Sequence, residues 1–161
     1  MLEVTLLGEL QARARGRVLP APAHPRGREL LAWLALHPGK HPRGPLAALL
    51  WPGVPPANAR ASLRSAAWAL RRMLGPDERD VLEGRDTLGL RCRSDVQEFA
   101  RLVAAGEDAA ALALCRGALL EGLEDHDWVV AARAEHARAV EALQARVRRQ
   151  MSSGETARTP P

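Results

Sequence analysis

"NARASLRSAAWALRRMLG", residues 58–75, holds four arginines, one tryptophan and no acid between a proline-rich loop and a glycine. Set on a helix at about 100° per residue, Leu63, Ala67, Leu70 and Leu74 fall in one narrow sector. That sector is the buried side. Arg60, Arg64 and Arg71 align along one flank, while Ser65, Trp68 and Arg72 cover the far side. Ala61 and Ala69 keep the outward face slim. Asn58 is the expected N-cap and Gly75 the expected C′ residue. A slim helix bearing arginines and no acid suits a major groove about 12 Å wide. An arginine there can read guanine or clamp a phosphate. Taken alone, the stretch fits a solvated surface helix better, so its neighbours decide.

Upstream, "LEVTLLGEL" (2–10) partly alternates apolar and polar residues and reads as a strand. A turn at Gly16 and a short edge strand limited by Pro20 and Pro22 follow. "RGRELLAWLALHPGK" (26–40) changes to a helical period with Leu30, Leu34 and His37 on one face, and stops at Pro38-Gly39. "HPRGPLAALLWPG" is a shorter helix, with Gly44 as N-cap, Pro45 at the first helical position and Leu46, Leu49 and Leu50 inward. Downstream, Val81 and Leu82, then Leu88, Leu90 and Cys92, flank "EGRD" as a hairpin. Three helices followed by a hairpin form the layout of a winged helix-turn-helix. In that setting residues 58–75 become the groove-facing helix.

Charge divides along the chain in the same way. Residues 1–93 hold 15 basic and 8 acidic side chains, a net +7, and residues 94–161 hold 8 and 11, a net −3. A basic front half and an acidic back half point to a polyanion met by the front half. Arginine outnumbers lysine 22 to 1, so the asymmetry informs more than the overall net charge of +4.

The second half reads as helical. Ser94 and Gln97 form a capping box for "SDVQEFARLVAAG", with Val96, Phe99, Leu102 and Val103 inward. A second helix is expected over 107–122. A third is expected over 126–150, opened by Asp127, with Val129, Ala132, His136, Val140, Leu143 and Val147 as its stripe. Residues 151–161 are polar and proline-ended, and read as a disordered tail.

Among other chemistries, little is organised. Cys92 and Cys115 read as buried free thiols of a reducing compartment, with no spacing for a metal site. His37 and His41 are separated by Pro38-Gly39, which argues against a shared metal face. "EDHD" (124–127) reads as an acidic helix start rather than a metal or acid–base site. No activated nucleophile is arranged, so an enzyme is disfavoured and neither cofactor nor metal is expected. No secretion signal or membrane span is visible, which places the chain in the cytoplasm.

The chain resembles the antibiotic-regulatory-protein (SARP-type) regulators, in which a response-regulator-type winged helix is joined to a bacterial transcriptional activator domain. The resemblance rests on "LLGEL", "RGRELLAWLALHPGK", "LAALLWPG", "ARASLRSAAWALRRMLG", "DVQEFARLVAAG" and "AALALCRGALLEGLEDHDW", six motifs in order over nearly the whole chain. It implies a mainly α fold with a small β component. A winged-helix domain would occupy residues 1–93 and a short tetratricopeptide-like helical domain residues 94–150. It also implies promoter binding. Carried over by position, Arg60, Arg64, Ser65, Trp68, Arg71 and Arg72 would face DNA, Arg85 would sit at the wing tip, and Lys40 and Arg43 would clamp phosphate. "WPGVPPA" matches the turn through which related activators touch RNA polymerase. The family's activator domain runs on through more helices, so pairing of the C-terminal helices in a homodimer is expected. Trp68 departs from the small or polar residue usual at its position. It is expected to rest on the hairpin or the second half, the alternative being to stack on a sugar or a thymine methyl. The competing function is a protein-interaction adaptor that has kept the fold and lost specific DNA binding.

Overall fold

Strand β1 (Leu2–Thr5) turns Leu2 and Val4 inward and Glu3 and Thr5 outward. The computed structural model describes residues 1–156, and there the strand expected over 2–10 stops at Thr5. Leu6 and Leu7 are buried in succession, which an alternating strand does not allow. Their N–H groups donate instead to the two carboxylate oxygens of Asp95, at 2.8 and 2.9 Å. The chain then reverses into β2 (Gln11–Ala14), antiparallel to β1 with Leu2 opposite Ala14. Arg15 and Gly16, both at positive φ, make the tight turn into the two-residue β3 (Arg17–Val18). On the other side of β1, β7 (Arg93–Ser94) adds in parallel, so the sheet order is β3-β2-β1-β7.

Helix α1 (Gly27–Leu36) buries Leu30, Leu31, Leu34 and Ala35. It ends where Pro38 disfavours helical geometry in the residue before it. The following Gly39–Pro42 is a strand that the sequence reading passed over. This β4 pairs with β6 (Thr87–Leu90), which pairs in turn with β5 (Val81–Glu83), giving the three-stranded order β4-β6-β5. Gly89 makes the pairing possible, since a Cβ there would lie 2.1 Å from the Gly39 carbonyl oxygen.

Between these strands lie α2 (Arg43–Leu50) and α3 (Pro56–Leu74). Both start earlier than their capping residues suggested. Pro42 rather than Gly44 precedes α2, and Pro55 rather than Asn58 precedes α3, with Pro56 at the first helical position. In α2 the inward side is Leu46, Ala47 and Leu50, while Leu49 is exposed. In α3 the expected sector of Leu63, Ala67, Leu70 and Leu74 is buried, joined by Ala59, Ala66 and Ala69. Gly75 closes the helix, and a 3-10 turn over Gly75–Asp80 leads into β5.

The second half holds α4 (Asp95–Ala104), α5 (Asp108–Leu114) and α6 (Asp127–Thr156). Both hydrogen bonds of the Ser94–Gln97 capping box are present. The helix expected over 107–122 stops at Leu114 because the chain there turns back to the first sheet. Leu120 N–H donates to the Leu6 carbonyl at 2.8 Å, and Gly8 N–H to that of Ala118 at 3.0 Å. Leu120 holds a positive φ to do so. Helix α6 continues to Thr156, past the boundary at 150, and residues 157–161 of the expected tail lie outside the described residues.

Residues 1–93 and 94–156 therefore share one apolar core, which includes Leu6 and Leu7 from the first part and Leu119, Leu120 and Leu123 from the second. The boundary read at 93/94 falls within β7. Among the described residues no helix is long and apolar enough to cross a membrane. Cys92 and Cys115 are free and half-buried. Burial pushes the Cys92 thiol up to about 11 and raises that of Cys115 as well.

Candidate nucleic-acid interface

Helix α3 presents its polar face because the opposite face is pinned in the core. Of the residues singled out in the sequence, Arg60, Arg64, Ser65, Trp68, Arg71 and Arg72 all lie on α3, and the buried sector contains none of them. Arg43 opens α2, Arg85 lies in the loop between β5 and β6, and Lys40 is exposed on β4.

Five of these side chains, Arg43, Arg60, Arg64, Arg71 and Arg85, surround a cleft of about 360 Å³ between the helices and the hairpin. Two carboxylates share it, Glu83 and Asp86. Glu83 accepts from Arg43 Nη2 at 2.9 Å and, through its other oxygen, from Arg71 Nη1. Asp86 accepts from Arg60 Nη1 at 2.8 Å. Among the described residues Arg64 and Arg85 have no carboxylate within ion-pair distance. The Asp86 carbonyl also accepts from the Arg43 N–H at 2.9 Å, which ties the hairpin to the start of α2.

Ser65 and Trp68 are not part of this cleft. With Arg64 they border a shallower hollow near His24 and Ala23. Trp68 is 55% exposed, and its partner is the Arg72 guanidinium, 5.0 Å from the ring centroid. The expectation that Trp68 rests on the hairpin or the second half is therefore corrected. It projects outward because its position, 80° round the helix from Arg60 at about 100° per residue, clears the edge of the core. Ser65 Oγ donates to the Ala61 carbonyl at 3.3 Å. Lys40 is not among the residues lining the cleft.

Sequence reasoning missed Glu83 and Asp86. Both stand in "EGRD", where two acids bracket the very arginine assigned to the wing tip, but their partners on α2 and α3 are set by the docking of the hairpin. It also missed the surroundings of His126. Glu29, Glu124 and His126 come together at the seam between α1 and α6. Arg26 Nη1 lies 3.0 Å from His126 Nε2, so a guanidinium already supplies positive charge there. Glu29 is buried, and among the described residues its Oε2 has no hydrogen-bond partner. His37 and His41 instead form an aromatic cluster with Trp33, which stacks on His37 at 4.3 Å.

Comparison with known proteins adds a fold-level likeness. No family model and no curated protein matches the chain. Among solved structures it is similar to Mycobacterium tuberculosis EmbR in complex with a low affinity phosphopeptide, at 26% identity and a TM-score of 0.71. The fold is SARP-like. The match covers 89% of this chain and 43% of the EmbR chain, so this chain spans less than half of that protein's length.

Proposed function

We propose that the protein is a DNA-binding transcriptional regulator, not an enzyme, that lays α3 in the major groove and sets the wing tip on the adjoining backbone. The observation that carries this reading is the outward face of α3. Arg64, Trp68 and Arg72 stand in solvent on an acid-free helix, in a fold similar to that of a SARP-family regulator. Arg64 and Arg72 have the reach to read a base edge or clamp a phosphate. Trp68 offers an apolar edge to a sugar or a thymine methyl. Arg85 and Lys40 would meet the backbone, while Arg43, Arg60 and Arg71 must first exchange their carboxylate partners.

In this reading the protein works in the cytoplasm without cofactor or metal. The "WPGVPPA" turn faces RNA polymerase, which fits the exposure of Val54 and the neighbouring Leu49. The C-terminal helices pair two copies of the chain, which fits the exposure of Val130 and Met151 on α6. Sedimentation at micromolar concentration should return a dimer, and a strict monomer rejects that part.

A gel-shift series against the gene's own upstream region tests the main claim. Log K should fall by about 0.9 per log unit of salt for each phosphate neutralised. Arg64→Ala should weaken binding with the melting temperature unchanged, and an Arg64→Ala variant that binds like the parent rejects the assignment of α3. One observation favours the adaptor reading: three of the nine singled-out residues already have acidic partners. Failure to bind any duplex at low salt selects it.

A further inference from the structure

Glu83 and Asp86 place negative charge on the hairpin that the reading above sets against DNA. Each is aimed at guanidiniums that would otherwise take phosphate. Glu83 engages Arg43 and Arg71, and Asp86 engages Arg60. Carboxylate and phosphate oxygens offer a guanidinium the same kind of charge-assisted, fork-matched bond. Three of the five arginines of the cleft therefore already hold an anion that belongs to the protein itself.

We propose that Glu83 and Asp86 act as built-in phosphate mimics, which suppress sequence-independent binding and leave occupancy to the contacts of Arg64, Trp68 and Arg72. The inference rests on the DNA reading above. The side chains of Arg60 and Asp86 are 44% and 58% exposed, and pairs so exposed are weak enough to exchange for a stronger anion. Exchange does not remove the carboxylates. They stay on the hairpin, within the Debye length of about 8 Å at physiological salt, and repel the phosphate that has replaced them. Each phosphate bound in the cleft thus contributes less than one bound at a free arginine. A complex held by phosphates alone suffers most, because Trp68 and Arg72 lie outside the cleft. Glu83 holds two guanidiniums and Asp86 one, so Glu83 has the larger effect.

The test uses the full chain, a labelled duplex of scrambled sequence and anisotropy over a salt series. The parent is compared with Glu83→Gln, Asp86→Asn and the double variant. At low salt the double variant should bind about tenfold tighter than the parent. Its slope of log K against log salt should steepen by about 0.9 for each guanidinium released to phosphate, and Glu83→Gln should change more than Asp86→Asn. Unchanged or weaker binding, with the parent still binding duplex, overturns the inference and leaves the DNA reading intact. Absence of binding by parent and variants alike, at the lowest salt, overturns both. If the double variant fails to fold, Asp86→Asn alone carries the test, since that side chain is mostly in solvent.

Discussion

Trp68 stands largely in water with a guanidinium over its ring, and this separates its contribution to stability from its contribution to binding. A surface residue outside the core changes stability by about 0.5 kcal/mol or less on substitution. Trp68→Ala should therefore melt with the parent yet bind promoter DNA more weakly, and a lowered melting temperature argues for a packing role instead. His136 behaves oppositely. Its ring packs edge-on against Phe99 at 5.0 Å, and burial holds its pKa below the usual value, the Asp95 charge opposing this. The folded chain therefore binds the proton less readily than the unfolded one. Stability is full above the ordinary histidine pKa of about 6.5 and declines as pH falls through it. Melting temperature followed from pH 7.5 to 5 should drop less for His136→Gln than for the parent. The outward set on α3 was legible in the sequence because a helical period alone sorts it. Its ion partners were not, since Glu83 and Asp86 arrive on a separate hairpin whose docking is a tertiary event.

Among the elements, α4 shows what local sequence reveals and what it conceals. The capping box of Ser94 and Gln97 is written within four residues, and it forms. Removing it with Ser94→Ala should cost about 1 kcal/mol, read from chemical denaturation. The adjacent Asp95 carries more. Its carboxylate serves the Leu6 and Leu7 N–H groups, 89 and 88 residues away, and no local pattern announces such a pairing. Asp95→Ala leaves both donors without it and should cost about 2 kcal/mol or more, exceeding Ser94→Ala; an equal or smaller loss shows that water replaces the carboxylate. The same distance explains why α5 read too long. Residues 115–122 are as apolar as a helix requires, but Leu119 and Leu120 are drawn to the first sheet, and that sheet decides their conformation.

At the scale of the whole molecule, the shared core predicts one cooperative unfolding transition rather than two. Residues 1–93 alone would expose Leu6 and Leu7 and lose both the Asp95 carboxylate and the 118–121 segment. That fragment should show weak near-ultraviolet dichroism and early proteolysis, whereas a sharp melt of its own would mean the front half folds independently. The linkage also bears on synthesis. Residues that must touch Leu6 and Leu7 emerge last among the contacts of the first sheet. At about 5–20 residues per second, Asp95 follows Leu6 by roughly 4–18 seconds. During that interval the nascent chain carries an unfinished sheet and an unpaired β1 edge. Slow translation or a stall within this window should raise the demand for chaperones.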